Sequence, residues 1–251
     1  METKHKVILI TGGSGSIGSE ITKKFTGLGH SVIINYYKSK NVAIDLEAKL
    51  ISKFGKDSAF AVEADISKRM EVNKMFDETE KEFGTPDVLI NCAGINRDKP
   101  FLDMNEEEWT SVISTILSGT FYCSQEFALR YKGDCGNIIN IGALTAIRGR
   151  KNGANYCSAR AGVVNLTKCM ALELAPKIRV NCVTPGWINT EEVMNRYHLH
   201  DKAIYESTLK TIPMARLGTP VDVADLINFL VNGSNYITGQ NYLVDGGMLM
   251  Y

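Results

Sequence analysis

The sequence predicts an α/β protein built on a doubly wound parallel sheet, and three observations support this fold class. Seven short apolar segments of strand length recur along the chain, and stretches of helical length separate them. The strand segments are almost continuously apolar rather than alternating, as parallel strands covered on both faces require. The 251 residues contain no repeat, low-complexity segment or linker, so one domain spanning residues 1–251 is expected.

The predicted elements follow one another in strand–helix order. Strands are expected at Val7–Ile10, Val32–Asn35, Phe60–Glu63, Val88–Asn91, Asn137–Ile141, Arg179–Thr184 and Asn241–Val244. Helices are expected at Ser19–Leu28, Ala43–Phe54, Arg69–Phe83, Glu106–Tyr131, Tyr156–Leu174 and Val221–Leu230. The stretch at about 191–212 departs from this alternation, because it is polar and contains two tyrosines. We expect it to form a helical lid over the cleft.

Composition narrows the classes of protein to consider. Acidic and basic residues balance at 28 each and no long basic run occurs, which argues against a nucleic-acid partner. The six cysteines are scattered without a Cys-x-x-Cys pair, and we interpret them as reduced residues of a cytoplasmic protein. His198 and His200 lack a clustered cysteine or acidic partner, so no metal site is predicted. Met1–Lys4 leads directly into a short apolar run that is too short for a signal peptide or a membrane span.

A glycine-rich segment, Thr11–Gly18, directly follows the first predicted strand and opens a helix. Glycines permit a tight turn and close approach of the backbone to a pyrophosphate, and the helix N-terminus supplies N–H donors. Alone, such a turn also fits an ordinary strand-to-helix connection. Its position after the first strand of a predicted parallel sheet favours a Rossmann-type nucleotide site.

The end of the second strand bears on the choice of cofactor. The chain continues Asn35-Tyr36-Tyr37-Lys38 without the acidic residue that would bind the 2′-hydroxyl of NAD. Lys38 and Lys40 lie nearby and favour the 2′-phosphate of NADP(H) over NAD(H), although both also suit a solvated loop. Asp65 follows the third strand, and Asn91-Cys92-Ala93-Gly94 ends the fourth, at the edge where such sheets bind ligands.

Taken in order, these motifs resemble the short-chain dehydrogenase/reductase family over essentially the whole chain. The resemblance also includes Tyr156, Pro185-Gly186, Ile237–Gln240 and Val244–Gly247, and it is closest to 3-oxoacyl-ACP and acetoacetyl-CoA reductases. It implies binding of the pyrophosphate by the glycine-rich turn, of adenine by Asp65 and Ile66, and of the nicotinamide carboxamide by residues after the sixth strand. The implied cofactor-binding residues are Gly12, Ser14, Ser16, Ile17, Gly18, Lys38, Asp65, Ile66, Asn91, Ala93, Gly94, Tyr156, Arg160, Pro185, Gly186, Ile188 and Thr190.

The catalytic positions depart from the family pattern of Asn, Ser, Tyr and Lys. Alignment through the surrounding residues places Ile116, Ala143, Tyr156 and Arg160 at these positions, so only the tyrosine is retained. Two milder departures are Ser16 for a motif glycine and Cys92 for an asparagine.

Each replacement has a chemical consequence. A fixed positive charge about 4 Å from the tyrosine at an effective dielectric near 20 is worth roughly 4 kcal/mol, so Arg160 supplies the electrostatic part of the lysine role. It does not pass protons onward, because arginine stays protonated in proteins. Ile116 removes the other end of the same proton relay. Ala143 removes a hydroxyl aimed at the reacting oxygen, and loss of such a donor typically slows catalysis by about 10²–10³-fold. Thr145, two residues on, is a possible substitute.

Three functional hypotheses follow. The first is an NADPH-dependent reductase of a carbonyl, such as a 3-oxoacyl thioester on ACP or CoA, with Tyr156 as acid and Arg160 in place of lysine. The second is a catalytically impaired, cofactor-binding subunit that completes an oligomer with an active paralogue. The third is a non-redox enzyme of the same fold that uses these two residues for acid–base work. By resemblance the chain is expected to be a homo- or hetero-oligomer, a dimer or tetramer, with no membrane partner.

Overall fold

Seven parallel strands form one sheet in the computed structural model, which describes residues 5–250. The strand order is β3-β2-β1-β4-β5-β6-β7, so the direction of winding reverses between β1 and β4 and opens a crevice at the carboxyl ends of the strands. The strands are β1 Val7–Thr11, β2 Ser31–Tyr36, β3 Ala59–Glu63, β4 Val88–Asn91, β5 Gly136–Ile141, β6 Ile178–Pro185 and β7 Asn241–Val244. All seven predicted strands are therefore confirmed, whereas the interpretation of Met1–Lys4 falls outside the described residues.

Ten α-helices cover the sheet or its carboxyl edge in the described part of the chain. They are α1 Ser16–Gly27, α2 Lys40–Phe54, α3 Arg69–Phe83, α4 Glu106–Ile113, α5 Gly119–Arg130, α6 Thr145–Arg148, α7 Ala154–Leu174, α8 Glu191–Arg196, α9 Lys202–Leu209 and α10 Pro220–Asn228. Helices α1, α2 and α10 contribute to the apolar core on one face of the sheet. Helices α3, α5 and α7 contribute to the core on the other face. This arrangement confirms the predicted doubly wound fold, because helices cover both faces of the parallel sheet.

One predicted helix differs from expectation. The single helix expected at Glu106–Tyr131 is divided into α4 and α5 by a π-helical turn at Ser114–Ser118. Such turns insert one residue into the helical repeat and occur often at functional sites. A short helix, α6, was not predicted, because four residues are too few to show a helical period.

The stretch at about 191–212 contains α8 and α9. It has a small apolar core of its own, built around Leu199, Ile212 and Leu217. Trp187, just after β6, packs edge-on against Tyr197 with 4.5 Å between ring centroids, which fixes α8 beside the cleft. No helix among residues 5–250 is long and apolar enough to cross a membrane.

Candidate active site

A single cleft of about 1100 Å³ runs along the carboxyl ends of the strands. Its walls come from the glycine-rich turn, from the segments that follow β2 to β6, and from the first turns of α7 and α8. The sequence-predicted site residues that line it are Gly12, Ser14, Ser16, Ile17, Gly18, Lys38, Asp65, Ile66, Ala93, Gly94, Tyr156, Arg160, Pro185, Gly186, Ile188 and Thr190. These residues are up to 178 positions apart in the sequence and share one surface, because the strands all end at the same edge.

The glycine-rich turn needs glycine for steric reasons. Gly12 has a φ of +63°, and a Cβ there would lie 2.9 Å from the Cα of Ala93. A Cβ on Gly18 would lie 2.2 Å from the carbonyl oxygen of Gly12. Side chains in this turn would therefore separate α1 from the turn and the turn from the end of β4.

Two polar side chains hold the turn in place. The Thr11 hydroxyl accepts hydrogen bonds from the backbone N–H groups of Cys92 and Ala93, at 3.1 and 3.2 Å. The Asn35 side-chain oxygen accepts from the N–H of Gly12 at 3.3 Å. These bonds fix the ends of β1, β2 and β4 around one concave surface. The sequence alone predicts no role for either side chain.

The turn fits a pyrophosphate. Helix α1 begins at Ser16, and no side chain caps its N-terminus. Its first N–H groups and the positive end of its dipole therefore face the cleft without a protein partner, which is the arrangement that binds phosphate groups in nucleotide sites.

The end of the cleft beside β2 and β3 carries hydroxyl groups and one lysine. The Ser14 and Ser39 hydroxyls lie 3.0 Å apart, and the Lys38 ammonium lies 5.5 Å from the centre of the Tyr37 ring. The Asp65 carboxylate accepts from both the N–H and the hydroxyl of Ser67, at 3.0 and 2.7 Å. The end of β2 contributes no carboxylate to this surface.

Asn91 is placed differently from the other predicted cofactor residues, because its side chain lies behind the cleft wall. It is buried, and its amide donates to Ser124 at 3.0 Å and to Asn140 at 2.8 Å. Its contribution is therefore to hold β4 against β5 and α5. Cys92, its neighbour, lines the cleft. Burial raises the pKa of the Cys92 thiol to about 11, so this thiol stays protonated at neutral pH.

The other end of the cleft is formed by the segment that follows β6. A Cβ on Gly186 would lie 2.8 Å from the Cα of Asp245, so glycine lets this segment pass close to the chain after β7. Ile188 is buried and pairs with Gly218. Thr190 caps α8, and its hydroxyl accepts from the N–H of Val193 at 3.2 Å. The Thr190 hydroxyl proton remains available for a ligand.

Tyr156 lies in the first turn of α7, and Arg160 follows one helical turn later. The Arg160 side chain is only 5% exposed, and its Nη1 donates to the carbonyl of Ile141 at 2.6 Å. Its guanidinium carbon lies over the Tyr156 ring, 5.3 Å from the centroid. Its Nη2 lies so close to Gly94 that a Cβ there would be 2.4 Å away.

The charge on Arg160 has no ionic partner. None of the salt bridges among residues 5–250 includes Arg160, and its Nε makes no hydrogen bond. The positive charge of a buried cation without a carboxylate partner is not neutralised, so its electrostatic field acts on the groups around it.

The two other positions that the sequence aligns with catalytic residues are apolar. Ile116 lies in the π-helical turn and is fully buried in a cluster with Val112, Ala159 and Val163. Ala143 lines the cleft and offers only a methyl group. The packing of Ile116 agrees with the idea that no proton relay passes through this position.

A second arginine, Arg150, also lies over the Tyr156 ring. The guanidinium carbon of Arg150 lies 5.2 Å from the Tyr156 ring centroid. Arg150 also donates to the Tyr197 hydroxyl and to the Asp98 carboxylate, both at 2.7 Å. Asp98 in turn pairs with Arg196 of α8. This network joins the mouth of the cleft to α8.

The Arg130 guanidinium is held by the carboxylates of Asp77, Glu80 and Glu126 at 2.7 to 2.9 Å. Within residues 5–250 no group of three metal-ligating side chains comes together.

Comparison with known proteins agrees with this geometry. The profile of the family described as "Enoyl-(Acyl carrier protein) reductase" matches residues 12–249. The chain is 38% identical over 250 residues to the 3-oxoacyl-[acyl-carrier-protein] reductase of Synechocystis, with 98% of both chains covered. It is 40% identical over 251 residues to the corresponding reductase of Chlamydia muridarum, with 97% of both covered.

The chain belongs to the short-chain dehydrogenase/reductase family. A solved short-chain dehydrogenase/reductase from Brucella melitensis superposes with a TM-score of 0.91 and 30% identity, covering all of both chains. The family is one of oxidoreductases, and the two bacterial relatives above are named as 3-oxoacyl-[acyl-carrier-protein] reductases. The resemblance stated from the motifs is thereby confirmed.

Proposed function

We propose that this protein is an NADPH-dependent reductase of a 3-oxoacyl thioester carbonyl, with Tyr156 as the proton donor and Arg160 as a fixed cation. The observation that carries the proposal is the position of Tyr156. It lies in the same cleft as the nucleotide cradle, with an unpaired guanidinium over its ring. The Synechocystis and Chlamydia relatives are named for this reaction.

In this proposal bound NADPH supplies the hydride, and the residues of the chain manage the proton. Tyr156 donates its hydroxyl proton to the substrate oxygen, and the resulting tyrosinate is stabilised by the positive charge of Arg160. Arg160 does not deliver a replacement proton, because its guanidinium stays charged. Tyr156 therefore regains its proton from solvent in the cleft, which makes the polar relay position at Ile116 unnecessary.

The preference for NADP(H) is supported by Lys38, Ser14 and Ser39 at the adenosine end of the cleft. A lysine and hydroxyl groups suit a 2′-phosphate, and an acidic residue at the end of β2 would repel it. Replacing Lys38 with alanine should weaken NADPH binding about tenfold, since a charge-assisted hydrogen bond contributes about 1.5–3 kcal/mol. NADH binding, measured in the same fluorescence titration, should be unchanged. Equal loss for both nucleotides would contradict the assignment.

We further propose that the segment at about 191–212 is a lid on the substrate end of the cleft. Arg196 and Tyr197 contact Asp98 and Arg150 at its mouth, which ties α8 to the loop after β4. Opening requires these polar contacts to break, and each is partly exposed to water, so the barrier is low.

The proposal also includes an oligomeric assembly and an acyl carrier that brings the substrate. Large apolar side chains are exposed on helices α4, α5 and α7, which supports a homo- or hetero-oligomer; they are Trp109, Phe121, Leu129 and Leu172. Lys132 and Lys177 remain as basic positions for an acidic acyl carrier, since Arg130 is paired internally.

The apolar residues at two catalytic positions favour one other candidate function, a cofactor-binding subunit with little activity of its own. Ile116 is packed into the core and Ala143 has no hydroxyl. Such a subunit would bind NADPH and pair with an active paralogue through the exposed helices.

Turnover by the purified chain alone separates these candidates. NADPH oxidation is measured with acetoacetyl-CoA and longer 3-oxoacyl thioesters, beside a Tyr156→Phe variant. The reductase requires turnover that falls at least about a hundredfold in the variant. Tight NADPH binding with no turnover by the wild-type chain would refute the stand-alone reductase and favour the subunit.

A further inference from the structure

A second cavity, of about 540 Å³, lies beside the cleft, and we call it the side pocket. Two segments form it: residues 99–103 of the loop after β4, and residues 150–152 and 154 at the start of α7. The N–H of Lys99 donates to the carbonyl of Asn152 at 2.9 Å. This backbone hydrogen bond holds the two segments together, so the side pocket has a defined shape.

Arg150 connects the side pocket to the cleft, because its side chain lines both cavities. Its guanidinium carbon lies 5.2 Å from the centroid of the Tyr156 ring. Asp98 and Tyr197 hold the guanidinium in place, each at 2.7 Å. The side pocket therefore begins one side chain away from the tyrosine, and a substrate that reacts at Tyr156 can extend past Arg150 into it.

The rim of the side pocket is basic. Lys151 is exposed and takes part in none of the ion pairs formed among residues 5–250. Lys99 is half-exposed, and its ammonium lies 3.6 Å from the carboxylate of Glu108. The sequence has no aspartate or glutamate between Asp134 and Glu173, so the segment that carries Lys151 has no acidic neighbour in the chain. A rim of this kind attracts an anionic group.

The side pocket also has an apolar wall. Phe101 and Leu102 line it, and they are 78% and 93% exposed. Two adjacent large apolar side chains this exposed gain free energy when an apolar group of a ligand covers them. The pocket therefore suits a ligand that has an apolar part and an anionic end.

We propose that the side pocket binds the 4′-phosphopantetheine arm of the thioester substrate, with the phosphate at Lys151 and the dimethyl-bearing carbon against Phe101 and Leu102. This inference rests on the proposed reductase function, and it adds a specificity site outside the residues that hold the cofactor or donate the proton. The arm is common to CoA and acyl-carrier thioesters, and it joins an apolar centre to a phosphate. The acyl chain is uncharged and would leave the basic rim unused.

The first experiment measures binding of 4′-phosphopantetheine and of pantetheine, which lacks the phosphate, to the full chain by isothermal titration calorimetry. The wild-type protein should bind phosphopantetheine about fivefold more tightly, as expected for an ion pair exposed to water. Lys151→Glu should remove this preference. Phe101→Ser should weaken binding of both ligands alike, because it removes apolar contact and no charge.

The matched control is Lys81→Glu, which makes the same change of charge elsewhere. Lys81 is exposed and lies in the last turn of α3, which leads to the amino end of β4 and away from the cleft. This variant should keep the wild-type preference for phosphopantetheine. All variants should melt at the wild-type temperature, because each changes an exposed side chain.

The second experiment measures steady-state reduction of three acetoacetyl thioesters by NADPH, those of CoA, acyl carrier protein and N-acetylcysteamine. Lys151→Glu should raise KM at least about fivefold for the first two, with kcat unchanged, because the phosphate is bound equally before and during the reaction. KM for the N-acetylcysteamine thioester should stay constant, because this substrate has no phosphate. The rise in KM should shrink at high salt, where exposed charges are screened.

Several outcomes would overturn the inference. One is equal wild-type affinity for the two ligands, or a preference that persists in Lys151→Glu. A rise in KM confined to the CoA thioester would assign Lys151 to the adenosine diphosphate, and one confined to the carrier-protein thioester would assign it to the carrier surface. If Phe101→Ser changed KM for longer 3-oxoacyl N-acetylcysteamine thioesters but not pantetheine affinity, the pocket would hold the acyl chain instead.

The two experiments also separate this inference from the proposed function. A preference for phosphopantetheine that Lys151→Glu removes, without turnover of any thioester, would refute the reductase and retain the binding site. Turnover that depends on Tyr156, without any preference for phosphopantetheine, would retain the reductase and refute the site.

Discussion

Replacement of Arg160 with methionine removes a buried positive charge while keeping most of the side-chain volume. The guanidinium carbon lies 5.3 Å from the Tyr156 ring centroid. At an effective dielectric near 20, two unit charges at this separation interact by about 3 kcal/mol. Loss of that interaction with the tyrosinate should lower kcat about a hundredfold.

The same change should stabilise the fold. The Arg160 side chain is 5% exposed, and among residues 5–250 no carboxylate pairs with it. Burial of an unpaired charge is unfavourable, and replacing buried ionic groups by apolar ones is often neutral or stabilising by about 1–4 kcal/mol. Arg160→Met should therefore unfold at a higher urea concentration than the wild-type protein while turning over more slowly.

The matched control is Arg150→Met. Arg150 lies at nearly the same distance from the Tyr156 ring, 5.2 Å, but Asp98 is 2.7 Å from its guanidinium and offsets its charge. Its loss should affect kcat far less than the loss of Arg160 and should mainly raise KM through the lid. The assays are NADPH oxidation at saturating substrate and urea unfolding followed by fluorescence. A kcat unchanged in Arg160→Met, or a variant that is both slower and less stable, would refute the electrostatic role.

Three further outcomes are expected. Burial and the charge of Lys6 lower the pKa of His30 from 6.5 to about 4. The free energy of unfolding that this neutral imidazole contributes above pH 6.5 is therefore lost as the pH falls toward 4, by about 2 kcal/mol at pH 5. Urea titrations at pH 7.5 and pH 5 should show this loss in the wild-type protein and not in His30→Asn. Gly18→Ala should abolish NADPH binding in a fluorescence titration, because its Cβ would lie 2.2 Å from the Gly12 carbonyl oxygen; retained affinity would show that the turn adjusts. Asp98→Asn removes the negative charge that pairs with two arginines at the cleft mouth. Proteolysis within residues 191–212 should then be faster than in the wild-type protein. An unchanged rate of proteolysis would argue against a lid held by these contacts.

The sequence predicted the fold class and the positions of the seven strands. Parallel strands covered on both faces must be apolar along their whole length, so each strand appears in the sequence as a short apolar run. The Thr11–Gly18 turn could also be predicted, because only glycine fits where one backbone segment passes close to another. The replacement of family catalytic residues by Ile116, Ala143 and Arg160 could be predicted by counting residues from Tyr156 and from the neighbouring motifs.

The tertiary structure decided which side chains meet. Arg150 and Asp98 are 52 residues apart in sequence, and nothing local to either residue indicates the other. The side chain of Asn91 faces the core instead of the cleft, because its amide is used by Ser124 and Asn140. Long arginine side chains have many rotamers, so only packing selects the partner of each.

The same distinction applies to the centre of the site. The sequence by itself determined that an arginine follows Tyr156 by one helical turn and that a threonine follows Ala143 by two residues. It did not determine that Arg160 donates to Ile141 or that the Thr145 hydroxyl has no partner. Local pattern encodes secondary structure and burial, whereas hydrogen bonding at the carboxyl edge depends on how β4, β5, α6 and α7 pack together, and only the folded chain specifies that packing.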